Sequence, residues 1–201
     1  MEGNDITGII LAGGKSNRYG KNKAFELVDG IPIIERIIRV LKEVFSDIII
    51  ITNSKEEYRQ FNLRLYEDII KGLGPIGGIY TGLKNIDCRG GFFVACDMPF
   101  LNAAFIRYMV SIWNDEDVVV PKFGWKIEPL HAIYSKACIP YIEELIKREI
   151  YQIRSIFNKT KVRYVQEEEI TQFDPSFSFI LNINRPEDLD YINKNKPVSG
   201  Q

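Results

Sequence analysis

The sequence has few of the residues on which several familiar kinds of protein site depend. Its 201 residues contain three cysteines and one histidine, too few and too widely spaced for a disulfide framework or a zinc site. No apolar run reaches the roughly 18 residues of a membrane span, and the polar, acidic N-terminus does not resemble a signal peptide. We therefore expect a soluble, cytoplasmic protein.

An excess of charge of either sign is also missing. The 26 basic and 27 acidic residues leave a net charge of −1, which argues against a dedicated nucleic-acid-binding protein. The length suits one α/β domain or two small ones. Because repeats, linkers and low-complexity segments are absent, we expect a single domain over residues 1–201.

Apolar segments that predict strands alternate with segments that predict helices. Strands are predicted over residues 6–11, 47–52, 63–66, 91–96 and 117–120, and helices over 33–45, 74–85 and 102–113. This order predicts an α/β protein with three α/β/α layers and a largely parallel sheet. The pattern then becomes less regular, with a helix over 136–148, short strands over 163–165 and 178–181, and a last helix from Pro186.

The loop after the first strand carries the most specific pattern in the chain. Leu11-Ala12-Gly13-Gly14 is followed by Arg18 and Lys23. Glycines let the backbone bring N–H groups close to an anion, and the two cations supply the countercharge. The pattern is neither a Walker loop nor a dinucleotide-binding turn. It predicts a phosphate-binding loop, although a plain tight turn is the alternative for the glycines alone.

A second chemical element is Ala95-Cys96-Asp97-Met98-Pro99. A carboxylate that follows a buried strand can bind Mg²⁺, which commonly uses one or two carboxylates together with substrate phosphates and water. The alternative for an isolated aspartate is a turn or helix cap. Ligands of parallel sheets bind beyond the carboxyl ends of the strands, where Gly13, Asn53, Asp68 and Asp97 are all predicted to lie.

Three further segments are weaker candidates. Gly74-Pro75-Ile76-Gly77-Gly78 begins a helix, and its glycines would permit close approach of a base or ribose. The alternative is an ordinary turn without a ligand. Glu128-Pro129-Leu130-His131 contains the only histidine, a residue more often structural than catalytic when it stands alone. Asn182 and Asn184 either cap a helix or lie near the metal and second substrate.

Together these elements resemble the molybdenum cofactor guanylyltransferases of MobA type, from Leu11 to Leu189. The resemblance implies a Rossmann-like nucleotidyltransferase (GT-A-like) fold with a mixed, mostly parallel sheet. It implies that Leu11, Ala12 and Gly13 line a GTP site, that Lys23 binds phosphates, that Asn53 and Asp68 contact the nucleotide, and that Asp97 binds GTP and Mg²⁺. Tyr19 and Arg185 depart from the family pattern of Met and Thr.

The implied reaction transfers GMP from GTP to the terminal phosphate of molybdopterin, with or without molybdenum, and releases pyrophosphate. Asp97, Lys23 and Arg18 would act in catalysis, and Glu128, His131, Asn182 and Asn184 would face the acceptor. Residues 1–120 would form the GTP- and Mg²⁺-binding half, and 121–201 the acceptor-binding half. Molybdenum-insertion proteins and apo-molybdoenzymes or their chaperones are the expected partners.

Alternatives remain in two classes. Among enzymes, the chain would transfer CMP to molybdopterin, or use a sugar phosphate or polyol phosphate as acceptor. Outside enzymes, it would be a carrier that hands molybdopterin to apoenzymes. Lys23 and Asp97 argue against the carrier, because a carrier needs no metal-binding carboxylate.

Overall fold

The fold is organised around a mixed sheet in the computed structural model, which describes residues 6–13 and 22–183. The strands of the fold in chain order are β1 (Ile6–Leu11), β2 (Leu27–Val28), β3 (Ile31–Pro32), β4 (Ile48–Ile51), β5 (Arg64–Tyr66), β6 (Gly90–Ala95), β7 (Val118–Phe123), β8 (Lys126–Ile127), β9 (His131–Ser135) and β10 (Val162–Val165). β2 and β3 form a separate two-stranded sheet. Its α-helices are α1 (Ile33–Lys42), α2 (Lys55–Tyr58), α3 (Pro75–Lys84), α4 (Ala103–Ile112), α5 (Ile139–Lys147) and α6 (Glu167–Ile170). Short 3-10 helices cover Lys23–Phe25, Arg59–Phe61, Lys136–Cys138, Ile153–Asn158 and Ser178–Ile180.

The strand order of the main sheet is β10-β7-β9-β6-β1-β4-β5, and β8 pairs with β7. β6, β1, β4 and β5 run parallel, as β10 does to β7, whereas β9 is antiparallel to both β6 and β7. β7 therefore points the same way as β6. The carboxyl ends of β1, β4, β5, β6 and β7 lie at one edge of the sheet, together with the amino end of β9.

Two apolar cores cover the two faces of this sheet, as three α/β/α layers require. Alternate residues of one strand enter different cores: Ile10 of β1 packs in the core that contains α1 and α4, and Ile9 and Leu11 in the core that contains α3 and α5. The predicted fold class is confirmed, because a mostly parallel sheet has helices on both faces.

Local sequence explains where the helices begin. The Asn102 side chain accepts a hydrogen bond from the Phe105 N–H (3.0 Å) and caps α4, as predicted. α3 begins at Pro75, directly after Gly74, whose φ of +67° is accessible to glycine. Within the described residues, no helix combines the length and apolarity needed to cross a membrane.

The sequence-based prediction is wrong at residues 178–181, where a 3-10 helix over Ser178–Ile180 replaces the predicted strand. The Asp174 carboxylate accepts hydrogen bonds from the Phe179 N–H (2.9 Å) and the Ser176 hydroxyl (3.0 Å). Such side-chain bonds to nearby backbone compete with strand pairing. The central strand β9 was not predicted, and the helix predicted from Pro186 lies outside the described residues.

Candidate active site

The loop after β1 is tied to both neighbouring strands. The Ala12 N–H donates to the Ile51 carbonyl oxygen (2.8 Å), and the Cys96 N–H donates to the Leu11 carbonyl oxygen (3.1 Å). These two bonds join the ends of β1, β4 and β6 at the edge of the sheet. The prediction that this loop shares one edge of the sheet with the loops that carry Asn53 and Asp97 is therefore confirmed.

Asn53 and Asp68 form a reciprocal pair beside this loop. Asn53 Nδ2 donates to Asp68 Oδ2 (2.7 Å), and the Asp68 N–H donates to Asn53 Oδ1 (3.3 Å). A Cβ built on Gly13 would lie 3.7 Å from Asp68 Oδ2, an ordinary contact distance, so Gly13 and Asp68 are direct neighbours at the loop. The arrangement brings together three of the predicted site residues. It leaves Asp68 with further lone pairs that can accept hydrogen bonds from a ligand.

The glycines at the start of α3 serve packing in this structure. A Cβ on Gly78 would come within 3.0 Å of Leu11 Cδ2, and one on Gly77 within 3.0 Å of Leu73 Cβ. Gly78 therefore lets α3 lie directly on Leu11 at the end of β1, and Gly77 lets α3 lie close to the segment that precedes it. The Ile69 N–H also donates to the Thr81 hydroxyl (3.0 Å), which ties the segment after Asp68 to α3.

Lys23 begins a short 3-10 helix that Asn22 holds in place. The Asn22 side chain accepts a hydrogen bond from the Ala24 N–H (3.1 Å), and its Nδ2 donates to the Tyr58 hydroxyl (2.9 Å) and Glu57 Oε2 (2.6 Å). Sequence reasoning did not single out Asn22. The available signal was an asparagine directly before a short apolar segment, the usual position of an N-cap.

Asp97 lies two residues after β6, and one of its carboxylate oxygens is left unsatisfied by the described residues. Its Oδ1 is buried and has no hydrogen-bond partner in the described part of the chain. Burial raises the pKa of Asp97, and the nearby Lys23 ammonium opposes that rise. Burial also raises the pKa of the adjacent Cys96 thiol to about 12, so Cys96 is a structural residue rather than a nucleophile.

Asn182 is brought to the same place by the backbone that follows the last 3-10 helix. The Ile183 N–H donates to the Asp97 carbonyl oxygen (3.0 Å). Asn182 Oδ1 is also buried without a partner among the described residues. Two buried oxygens thus lack donors on neighbouring segments, and such groups cost free energy unless something binds them.

Glu128 lies on the segment that joins β8 to β9. Its Oε1 accepts a hydrogen bond from the Leu130 N–H (3.1 Å). Burial raises the pKa of Glu128, and the negative charge of Asp97 adds to this rise. The two carboxylates are therefore electrostatic neighbours, as the shared edge of β6 and β9 requires.

His131 is part of the core. It is completely buried, its ring lies edge-on to Phe92 (4.9 Å between centroids), stacks on Phe105 (5.6 Å) and is tilted against Phe179 (4.7 Å). Burial lowers the pKa of His131 to about 3. The structure thus places its ring among aromatic side chains and gives it no surface toward the acceptor side. Arg18 and Asn184, the remaining predicted site residues, lie outside the described residues.

Comparison with known proteins agrees with this geometry. The MobA-like NTP transferase domain matches residues 8–165. The chain is 37% identical over 187 residues to a molybdenum cofactor guanylyltransferase of Desulfosudis oleivorans, which covers 92% of this chain and 93% of the relative. It is 38% identical over 183 residues to a probable molybdenum cofactor guanylyltransferase of Pelotomaculum thermopropionicum, covering 91% and 89% of the two chains.

Solved structures share the fold. The molybdopterin-guanine dinucleotide biosynthesis protein A of Archaeoglobus fulgidus superposes with a TM-score of 0.80 at 24% identity, covering 94% of this chain and 97% of that one. The 4-diphosphocytidyl-2C-methyl-D-erythritol synthase of Anaerococcus prevotii superposes with a TM-score of 0.73 at 14% identity, covering 96% of both chains. At these identities the two superpositions establish the fold alone.

Proposed function

The chain belongs to the MobA-like NTP transferase family, and from this premise we propose that it transfers GMP from GTP to the terminal phosphate of molybdopterin. The products are a guanine dinucleotide form of the cofactor and pyrophosphate. The chain is thus a nucleotidyltransferase of molybdenum cofactor biosynthesis. Residues 1–120 would bind GTP and Mg²⁺ and residues 121–201 the acceptor, and we propose that the protein acts in the cytoplasm.

The observation that carries this proposal is the unsatisfied buried oxygen of Asp97 beside the charge of Lys23. A carboxylate oxygen and the Asn182 amide oxygen are hard oxygen donors, which suit Mg²⁺. The described residues contain no group of three or more His, Cys, Asp or Glu side chains that could hold a metal. A site with so few protein ligands suits Mg²⁺, because substrate phosphates and water supply the remaining ligands of this ion. When bound there, Mg²⁺ would neutralise charge on the nucleotide phosphates.

The chemistry asked of the protein is to hold two anions together. An oxygen of the acceptor phosphate attacks the α-phosphorus of GTP in line, the new P–O bond forms, and the bond to the β-phosphate oxygen breaks. Because the nucleophile is already an anion, no strong general base is needed. Lys23, Arg18 and loop N–H groups would stabilise the charge that develops at phosphorus.

Selectivity for guanine would come from the Asn53–Asp68 pair. The Asp68 carboxylate is held by Asn53 and retains lone pairs for a ligand. Guanine offers its N1–H and 2-amino group as donors, and adenine offers neither at these positions. Leaving such acceptors unpaired costs about 1–3 kcal/mol each, so GTP should be preferred over ATP and CTP by roughly 10- to 1000-fold.

A competition assay tests the proposal. Molybdopterin, Mg²⁺ and equal concentrations of GTP and CTP are supplied, and the dinucleotide product is identified together with released pyrophosphate. Dominant GMP transfer supports the proposal. Dominant CMP transfer would assign the chain to cytidylyl transfer, and tight molybdopterin binding without pyrophosphate release would favour a carrier. Product handover to apo-molybdoenzymes, their chaperones or molybdenum-insertion proteins follows only from the first outcome.

A further inference from the structure

An exposed tryptophan lies on the hairpin after β7, a strand whose carboxyl end shares the sheet edge with that of β6. Trp125 lies at the tip of the hairpin that joins β7 to β8, and 79% of it is exposed, the largest fraction for any large hydrophobic side chain in the described residues. Burying a tryptophan is strongly favourable. Tryptophan is also enriched at binding interfaces, so an exposed one that projects from a hairpin is a candidate for contact with a ligand.

The hairpin that carries Trp125 is well anchored. Gly124, with φ of +54°, makes the turn, and its N–H donates to Glu167 Oε2 (3.3 Å). On one side the Phe123 ring packs against Phe177, with 5.7 Å between centroids. On the other, Arg154 Nη2 donates to the Ile127 carbonyl oxygen (3.4 Å). Trp125 is thus presented by a fixed support.

The hairpin projects from the same sheet edge as Asp97. β7 points in the same direction as β6, and the chain after the hairpin returns toward β6. The Glu128 N–H donates to the Pro121 carbonyl oxygen (3.1 Å), and the Ala95 N–H donates to the Leu130 carbonyl oxygen (3.2 Å). Asp97 is two residues beyond Ala95. Backbone hydrogen bonds therefore connect the hairpin that carries Trp125 to the strand that precedes the proposed metal site.

Positive charge accompanies the exposed ring. Lys126 Nζ lies 5.6 Å from the centroid of the Trp125 ring, and Lys122 Nζ lies 5.5 Å from the centroid of the Tyr164 ring. A flat, exposed π-system next to the Lys126 ammonium suits a ligand that is itself planar and carries an anionic arm. Protein–protein interfaces differ from this, because lysine is depleted at their cores.

We propose that Trp125 is a stacking platform for the planar heterocycle of the acceptor, and that the charge of Lys126 attracts this anionic ligand to the hairpin. This inference rests on the proposed function, which supplies an acceptor with a pterin ring system and a terminal phosphate. Aromatic stacking tolerates ring substituents and adds affinity without hydrogen bonds. Trp125 would therefore determine acceptor affinity and leave GTP binding unaffected.

Steady-state kinetics with molybdopterin and GTP test the proposal. Trp125→Ala should raise the KM for molybdopterin about 5- to 100-fold, the range for loss of one stacking contact, and leave the KM for GTP within about twofold. Trp125→Phe, which keeps a flat ring, should recover part of the acceptor affinity. Leu27→Ala is the matched control, since Leu27 is 55% exposed on the other hairpin, β2–β3.

Tryptophan fluorescence supplies an independent measurement of acceptor binding at Trp125. The chain has two tryptophans, and Trp113 is buried. Molybdopterin should therefore quench wild-type emission and protect it from iodide, and both effects should disappear in Trp125→Phe. Unchanged acceptor KM in Trp125→Ala, or quenching that persists in Trp125→Phe, would overturn the inference. If wild-type protein releases no pyrophosphate with GTP and molybdopterin, the proposed function itself fails, which is a different result.

Discussion

Asp68 and Asp97 occupy similar positions at one sheet edge, each two residues after a strand, yet their surroundings are opposite. Asp68 is engaged by the amide of Asn53 at 2.7 Å. Asp97 has a buried oxygen without a partner in the described residues, and burial raises its pKa. A neutral amide orients an acceptor without cancelling its charge, whereas a buried unpaired carboxylate requires a cation. The comparison separates a group suited to recognising a nucleoside from one suited to binding a metal.

Removing the charge of Asp97 should produce the largest effect. Asp97→Asn keeps the size of the side chain but loses the negative charge, and we expect turnover to fall by at least about 10²-fold, as for loss of one electrostatic stabiliser. The thermal midpoint should not fall, because a desolvated charge has been removed. Pyrophosphate release and thermal unfolding measure the two effects.

The matched control is Asp87→Asn, an exposed aspartate in the turn before β6, at the opposite end of that strand. It should leave turnover unchanged. Near-normal pyrophosphate release by Asp97→Asn would make Asp97 a turn residue and would remove the contrast with Asp68.

Lys23→Ala tests the role of the cation that lies near Asp97. Charge-assisted bonds to phosphate are worth about 1.5–3 kcal/mol, so GTP affinity should fall roughly 10- to 150-fold, measured by calorimetric titration. The Lys23 charge lowers the pKa of Asp97. Its removal should therefore shift the acidic limb of the kcat/KM profile to higher pH.

Lys147→Ala, at the exposed end of α5, serves as the control for loss of a surface lysine. Unchanged GTP affinity in Lys23→Ala would place Lys23 outside the phosphate site. An acidic limb of the kcat/KM profile that stays at the same pH would mean that the Lys23 charge does not act on Asp97.

His131 extends the comparison to stability, because its imidazole is a further buried group that the described residues leave without hydrogen bonds. Its pKa falls from 6.5 to about 3 on folding, so the unfolded chain binds the proton more tightly. The stability conferred by the neutral ring is present above the unfolded pKa and is lost as pH falls below 6.5. Between pH 7.5 and 5 the loss should be about 2 kcal/mol.

His131→Phe should remove this part of the pH dependence, as measured by urea unfolding at the two pH values. The assignment is direct, because His131 is the only histidine in the sequence. An equal loss of stability in wild type and variant would mean that His131 is accessible to protons in the folded state.

The parallel half of the fold was predictable because its strands are continuous apolar runs. Ile48–Ile51 and Phe92–Ala95 each combine β-branched or aromatic residues with burial on both faces, a pattern typical of a parallel sheet. Polar residues that follow such strands must meet at one edge. For this reason the neighbourhood of Gly13, Asn53 and Asp68 followed from the sequence.

The antiparallel half was less predictable because tertiary contacts determine it. The segment after Pro129 pairs between β6 and β7 to form β9, and its neighbours are distant in sequence. The same is true of Phe179, whose burial against His131 accompanies a turned backbone rather than a strand. The acceptor-binding role of this half stays a prediction, and the core position of His131 could not be read from spacing.

The smallest effect concerns the Asp68 side, and it sharpens the comparison because it should alter selectivity rather than rate. Asp68→Asn keeps an amide oxygen that can accept the present hydrogen bond from Asn53 Nδ2, and its NH₂ group replaces the oxygen that is left to accept from guanine. We expect the preference for GTP over ATP to fall about tenfold, equivalent to one lost hydrogen bond, while kcat with saturating GTP changes little. Competition assays with both nucleotides measure the ratio directly. Asp97→Asn, assayed in the same way, should lose rate without losing preference; if it loses preference and Asp68→Asn does not, the roles assigned to the two carboxylates are reversed.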